Sequence, residues 1–137
     1  MLRRDAKVEL LKRVPLFAGC SKQELRQVAL LADELDVREG QVLTTEGERG
    51  REFFVLVEGV AEVRRKGRKM NTMTAGDFFG EIALVSARPR TATVTAVSPA
   101  RVLVVTDRAF RELMRKVPSI QLKVLAALAD RVPADSL

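Results

Sequence analysis

The sequence predicts an α+β domain in which short antiparallel strands lie between helices at the two ends of the chain. Short β-branched runs recur between glycines from Leu35 to Thr106, which is typical of a sandwich or barrel. Apolar residues recur at helical spacing before and after this region. The 137 residues are enough for one hydrophobic core, so a single domain is expected.

Residues 1–34 are predicted to form two helices. Pro15 ends the first of them, because a proline interrupts the helical hydrogen bonds. A capping box starts the second, with Ser21 as its N-cap and Glu24 three residues later. We expect the second helix to continue to about Glu34. The apolar faces consist of Val8, Leu11 and Val14 in the first helix and Leu25, Val28, Ala29 and Ala32 in the second.

Six strands are expected within residues 35–106. A basic run, Arg64–Lys69, is expected to form a hairpin tip around Gly67, because strand-like runs flank it. The predicted strands are Val42–Thr45, Phe53–Glu58, Val60–Val63, Asn71–Thr74, Thr91–Val97 and Arg101–Val105. The glycines expected at turns with positive φ are Gly40, Gly47, Gly59 and Gly76.

Residues 107–137 are predicted to form two helices separated by Pro118. The first is expected over Arg108–Lys116, and the second over Ile120–Arg131 with Ser119 as its N-cap. The second helix is short and strongly apolar. Two interpretations of it stay open: it packs on the core, or it closes as a lid over a bound ligand.

The composition argues against several classes of enzyme. The chain has no histidine, so Ser–His–Asp and Cys–His catalysis and most zinc or iron sites lack an essential residue. The single cysteine, Cys20, cannot form an internal disulfide and is expected to be half-buried and unreactive. No acid–base pair or nucleophile is placed in a cleft, so we expect no enzyme activity.

The net charge of +6 suits an acidic partner, but the pattern does not favour nucleic acid. No aromatic residue lies within Arg64–Lys69, so bases have no stacking platform there. Only about nineteen residues follow Pro118, too few for a helix-turn-helix, so no DNA binding is expected from this chain alone. No apolar run approaches ~20 residues and the N-terminus lacks a secretory signal, so a cytoplasmic protein is expected.

The most informative segment is Phe78–Ala92. Gly80 lets a ligand approach the backbone, because it has no Cβ. Residues Glu81–Leu84 can form one helical turn whose free N–H groups point at an anion. Arg90 can bind a phosphate through two parallel hydrogen bonds, whereas Glu81 is better suited to sugar hydroxyls. Together these parts fit a small phosphorylated ligand.

Phe79–Leu84 followed by Arg88–Ala92 resembles the phosphate-binding cassette of the cyclic nucleotide-binding domain family. The turn glycines, the strand Phe53–Leu56 and the segment Val14–Phe17 also resemble that family, so the likeness covers nearly the whole chain. It implies one domain over residues 1–137: a β-barrel or jelly roll (a double-stranded β-helix) with its cassette at 79–92, flanked by N- and C-terminal helices. It also implies that the ligand is cAMP or cGMP, with no further cofactor.

The resemblance implies a role for each cassette residue. Arg90 matches the family arginine that holds the phosphate, together with N–H groups of the turn. Glu81 matches the acid that accepts a hydrogen bond from the ribose 2′-hydroxyl. Gly80 matches the residue that permits close approach of the sugar, and Ala92 matches the small position whose N–H meets a phosphate oxygen.

The purine side of the site is less defined by the resemblance. A hydroxyl at Thr91 can reach a guanine edge, which allows cGMP without excluding cAMP. In relatives the last helix covers the base, sometimes with a stacked arginine, a role that Arg131 can take. Arg88 is expected to be a solvated loop charge. The predicted ligand-binding residues are Gly80, Glu81, Ile82, Ala83, Leu84, Arg90, Thr91, Ala92 and Arg131.

Several functions remain open at this point. The leading one is a non-catalytic sensor module that repositions its C-terminal helix when cAMP or cGMP binds. The chain can also be the sensor part of a longer transcription regulator, or of a cyclic nucleotide-regulated channel or kinase. A degenerate fold that mediates protein contacts is the remaining alternative. An effector domain, a protein partner and a homo-oligomer are each compatible with the sequence.

Overall fold

The computed structural model describes residues 2–130 in two compact units. Residues 2–31 and 109–130 form a helical unit, and residues 32–108 form a unit that contains all the described strands. The helices are α1 (Arg4–Lys12), α2 (Lys22–Leu31), α3 (Asp107–Lys116) and α4 (Pro118–Asp130). The strands are β1 (Asp33–Val37), β2 (Val42–Thr44), β3 (Glu52–Glu58), β4 (Ala61–Arg65), β5 (Arg68–Met73), β6 (Phe78–Phe79), β7 (Thr93–Ala96) and β8 (Ala100–Thr106). Short 3-10 helices lie at Pro15–Phe17 and Glu81–Leu84. No helix among residues 2–130 is long and apolar enough to cross a membrane.

The capping box predicted at the start of α2 is confirmed. The N–H of Ser21 donates to Glu24 Oε1 at 2.8 Å, and the N–H of Glu24 donates to Ser21 Oγ at 3.1 Å. The same carboxylate accepts a hydrogen bond from Ser119 Oγ at 2.5 Å and pairs with the ammonium of Lys123. Lys123 and then Ser119 are the main causes that lower the pKa of Glu24 to about 2. One buried acid therefore joins the start of α2 to α4.

Aromatic packing completes the core of the helical unit. The rings of Phe17 and Phe110 lie 5.6 Å apart at 55°, and both side chains are fully buried. Cys20 lies nearby in sequence and is half-buried, as expected. Burial raises the pKa of its thiol, and the charge of Glu24 adds to that effect, so the unreactive thiolate-poor form is favoured.

Two boundaries of the helices differ from the prediction. The chain leaves α2 at Leu31 and enters β1 at Asp33, so the predicted continuation of this helix to Glu34 is wrong. The reason is long-range: β1 pairs with β8, which the local apolar pattern does not reveal. Pro118 is the first residue of α4, where its missing N–H costs little, so Ser119 lies inside the helix and not at its cap. Arg131 lies outside the described residues.

The eight strands form two antiparallel sheets of four. Their orders are β1-β8-β3-β6 and β2-β7-β4-β5. The two-residue strand β6, which was not predicted, pairs with Phe54 and Val55 of β3. The pairing of the described strands does not close the sheets into a barrel, so that part of the predicted fold is wrong. Buried side chains of both sheets form one core cluster: Val37, Phe54, Leu56, Ala61, Met73, Val94, Ala96, Ala100, Val102 and Val104.

The basic hairpin tip is confirmed. Arg65 pairs with Arg68, so Lys66 and Gly67 form a two-residue turn with φ values of 51° and 77°. Two successive positive φ values are typical of the type I′ turn, whose twist matches that of the strands. The four glycines expected at turns also have positive φ, between 85° and 96°.

The Glu24 cluster gives a prediction for stability. Glu24→Gln keeps an oxygen for the capping bond to Ser21 but removes the charge that pairs with Lys123. We expect the free energy of unfolding at neutral pH to fall by about 1.5 kcal/mol, because a partly buried charged hydrogen bond contributes about that much. Urea unfolding measures the difference. Glu112→Gln, which breaks an exposed pair with Arg115, is the control and should change stability by less than ~0.5 kcal/mol.

The same variant has a predicted pH dependence. The pKa of Glu24 is about 2 in the folded chain, below its ordinary value of 4.5. The stabilisation is therefore fully present above about pH 4.5 and is lost as the pH falls towards 2. The stability gap between the native chain and Glu24→Gln should shrink at about pH 3. A gap of equal size at both pH values would contradict this assignment.

Candidate functional site

The predicted single helical turn after Gly80 is present as a 3-10 helix over Glu81–Leu84. Gly80 enters it with φ of 79°, a left-handed conformation that glycine adopts at little cost. The N–H of Ala83 donates to the Gly80 carbonyl at 3.0 Å, so this amide is used within the turn. The first N–H groups of a helix have no partner inside that helix, and Ile82 lies in this first turn.

Arg90 is held in place by its own backbone. Its N–H donates to the carbonyl of Glu48 at 2.7 Å, and its carbonyl accepts from the N–H of Gly47 at 2.8 Å. These two bonds pair the loop after β2 with the loop before β7. The position of the Arg90 side chain therefore depends on residues more than forty positions earlier in the chain.

The guanidinium of Arg90 is buried and only partly compensated. Its side chain is 10% exposed, and Nη2 donates to the carbonyl of Glu52 at 2.7 Å. The carboxylate of Glu52 lies 3.6 Å from Nη2 and is itself 43% exposed. Burial lowers the pKa of Arg90, and the charge of Glu52 opposes that shift only in part. A buried cation with one carbonyl and one loose carboxylate favours the binding of an anion.

Two glycines make room for this side chain. An ideal Cβ on Gly50 would lie 2.1 Å from Arg90 Nε, and one on Gly80 would lie 2.5 Å from Nη1. Any other residue at either position would displace the guanidinium. Gly50 and Glu52 were not identified from the sequence. In the sequence, the only feature that marks these two residues is that they lie close to Gly47. Gly47 itself was assigned only a role in a turn.

Two cavities meet at Arg90. The larger has a volume of 340 Å³ and the smaller 310 Å³, and four predicted residues line both: Gly80, Glu81, Arg90 and Thr91. Ala92 lines the larger cavity, whereas Ile82 and Ala83 line the smaller one. Arg88, which was expected to be a solvated loop charge, also lines the smaller cavity.

Other predicted residues lie elsewhere. Leu84 is fully buried and is not among the residues that line the two cavities, so it anchors the turn in the core. Arg131 cannot be placed, because it lies outside the described residues. The structure thus groups the phosphate and sugar parts of the predicted site but does not address its base-stacking part.

Six residues of the larger cavity were missed by the sequence analysis. Five of them come from the second sheet, where antiparallel pairing places them on one face. Thr44 also lines the cavity, but its hydroxyl donates to the Ala92 carbonyl at 3.1 Å and accepts from the Val94 N–H at 3.2 Å. Phe79 stacks on Phe54 with centroids 4.9 Å apart. The six are Thr44, Val63, Asn71, Met73, Phe79 and Val94.

The chemistry of the site is that of binding. A buried cation, an acid beside it and a largely apolar wall suit an anionic molecule with a flat apolar part. No group of three histidine, cysteine or acidic side chains that could hold a metal ion lies within the described part of the chain.

The chain is similar to known proteins over most of its length. The family model for the cyclic nucleotide-binding domain matches residues 34–117. The cAMP-dependent protein kinase regulatory subunit of Mycosarcoma maydis is 38% identical over 130 residues, which is 86% of this chain and 24% of that protein. The chain spans about a quarter to a third of the length of the curated relatives it matches.

Solved structures are similar over most of the chain. The N-terminal domain of a transcriptional regulator from Streptomyces coelicolor A3(2) is 27% identical with a TM-score of 0.80, covering 89% of this chain and 91% of that one. The cAMP-bound structure of PfPKA-R is 29% identical with a TM-score of 0.69, covering 92% of this chain and 47% of that one. The family model covers more than half of the chain and includes the whole of the site around Arg90. The chain therefore belongs to the cyclic nucleotide-binding domain family.

Proposed function

We propose that this domain is a non-catalytic sensor that binds cAMP or cGMP in the larger cavity and repositions its C-terminal helix. The observation that carries the proposal is the buried, partly compensated guanidinium of Arg90 at the junction of the two cavities. A cyclic phosphodiester has one negative charge, which supplies the missing compensation. The regulatory subunits and regulator domain that this chain resembles add support.

The remaining roles follow from the lining of the cavities. Glu81 accepts a hydrogen bond from the ribose 2′-hydroxyl, and Gly80 lets the sugar approach the backbone. N–H groups of the 3-10 turn and the N–H of Ala92 complete the shell around the phosphate. In this proposal the two sheets keep the jelly-roll arrangement of the family.

The proposed switch lies in α4. Its side chains Leu122 and Leu125 are 68% and 55% exposed, which is a high exposure for two leucines one turn apart. A purine offers an apolar face for such side chains. Contacts made only when α4 covers the base would shift the population of α4 positions on binding.

A second candidate function is the sensor part of a longer transcription regulator. The specific observation is the likeness to the Streptomyces regulator domain, which this chain matches over 91% of its length. Both candidates use the same cavity, so nucleotide binding does not separate them. The sequence that flanks this domain in its native protein does.

Replacing Arg90 tests the phosphate site. We expect Arg90→Leu to weaken cAMP and cGMP binding by at least about 2 kcal/mol, roughly 30-fold, because the phosphate would be buried without its charged partner. Calorimetric titration measures the loss. Arg68→Leu removes the same charge from the exposed hairpin and is the matched control. An affinity within a factor of two of the native chain would rule out Arg90 as the phosphate ligand.

Glu81 can be tested with a ligand that lacks one hydroxyl. The native chain should bind 2′-deoxy-cAMP roughly 10-fold more weakly than cAMP, because a hydrogen bond to a charged acceptor is lost. In Glu81→Ala the two ligands should bind within about 2-fold of each other. If the 10-fold gap persists in Glu81→Ala, another residue contacts the 2′-hydroxyl.

Gly50→Ala tests whether the position of Arg90 matters. The added Cβ would overlap the guanidinium, while Gly50 itself has no positive φ that an alanine would strain. We expect nucleotide affinity to fall roughly 10-fold or more with little change in the thermal midpoint. Gly19→Ala is the control, because its Cβ would meet only ordinary contacts at 3.5 Å. Native affinity in Gly50→Ala would mean that Arg90 need not occupy this position.

A further inference from the structure

Asn71 is a polar residue on the apolar inner face of the second sheet. It pairs with Val63 across the β4–β5 hairpin, and Val63 pairs with Val94 of β7. The next inward row consists of Ala61, Met73 and Ala96, all of them buried. Directly paired residues share a face, so Asn71 stands at one end of a row that continues through Val63 and Val94 to Thr44. It lines the larger cavity together with Arg90.

The orientation of the Asn71 amide is set by a neighbour. Its Oδ1 accepts a hydrogen bond from the N–H of Thr72 at 2.8 Å. The oxygen end of the side chain is thereby used, and the Nδ2 end is left as a donor of two N–H groups. Asn71 is exposed, so this donor end can reach a ligand without a change in packing.

Two other polar residues that line this cavity, Thr44 and Thr91, make hydrogen bonds elsewhere. The hydroxyl of Thr44 already bonds the backbone of Ala92 and Val94. The carbonyl of Thr91 accepts from Arg65 Nε at 3.0 Å, which fixes the backbone that carries the Thr91 hydroxyl. The Asn71 amide and the Thr91 hydroxyl are therefore the groups of this cavity best suited to the polar edge of a base.

We propose that Asn71 reads the edge of the purine and makes the domain favour a 6-oxopurine cyclic nucleotide over a 6-aminopurine one. This inference rests on the function proposed above. A 6-oxo group accepts a hydrogen bond from the Nδ2 donor, whereas a 6-amino group would place donor against donor. Because the sugar and phosphate are the same in both ligands, a group on the base decides between them.

Titration with three nucleotides tests the inference. Cyclic IMP has the 6-oxo group of cGMP but lacks the 2-amino group, so it isolates the contact to position 6. The native chain should bind cGMP and cIMP more tightly than cAMP. In Asn71→Leu we expect the affinity for cGMP and cIMP to fall about 3- to 10-fold, as for one neutral hydrogen bond, and that for cAMP to change less than about 2-fold.

A second variant reverses the chemistry of the same position. Asn71→Asp replaces the donor by an acceptor, so it should weaken cGMP further and shift the ratio of affinities towards cAMP. Thr72→Val alters the neighbouring residue on the opposite face and should leave the ratio unchanged. Circular dichroism confirms that each variant is folded.

The outcomes separate this inference from the proposed function. Binding of all three nucleotides with a ratio that Asn71→Leu and Asn71→Asp do not change would overturn the role of Asn71 and keep the proposed function. An equal loss for all three would also overturn it, because the amide would then contact a group common to both purines, such as N7. If the native chain bound none of the three nucleotides, both the role of Asn71 and the proposed function would be overturned.

Discussion

The site depends on a charge that is buried before any ligand arrives. The Arg90 side chain is 10% exposed, yet its direct partners are one carbonyl and a carboxylate 3.6 Å away. A guanidinium whose charge and N–H groups were all paired within the protein would gain little from binding an anion. A fully solvated guanidinium would already be hydrogen-bonded to water. The intermediate state of Arg90 makes an incoming phosphate favourable, because most of the desolvation cost is already met by folding.

Other parts of the strand unit hold the Arg90 guanidinium in position. The carbonyl that binds Arg90 belongs to β3, whose neighbours Phe53 and Phe54 are buried, so this acceptor is rigidly placed. The backbone bonds of Arg90 to Gly47 and Glu48 fix the root of the side chain, and the absence of a Cβ at Gly50 and Gly80 leaves space for its end. The Glu52 carbonyl, the loop that contains Gly47 and Glu48, and the two glycines lie close together only because the strands that carry them pair in the sheets.

The sequence predicted the parts of this site that lie in one segment. Gly80, Glu81 and Arg90 fall within eleven residues, and Gly80 and Arg90 owe their roles to residue type. Glu52, Gly50 and Asn71 could not be found in this way, because their roles depend on strand register and on contacts over many residues. The same reason explains the errors in the fold: β1 is mostly exposed and β6 has only two residues, and they are strands because β8 and β3 pair with them. The start of a helix was predicted better where nearby side chains cap it, as Ser21 and Glu24 do for α2.

The Glu24 cluster constrains how a switch in α4 can work. Ser119 and Lys123 belong to α4, while the carboxylate that they contact belongs to α2. Moving α4 away from α2 would separate these groups and lose a charged hydrogen bond that contributes about 1.5 kcal/mol. Moving α2 together with α4 would preserve every one of these bonds. A ligand can shift an equilibrium only by its differential affinity for the two states. Moving α2 and α4 together therefore requires a smaller difference in nucleotide affinity than moving α4 alone. We therefore expect the repositioning of α4 to carry α2 with it, and a spin label on each helix should report an unchanged distance between them when nucleotide binds.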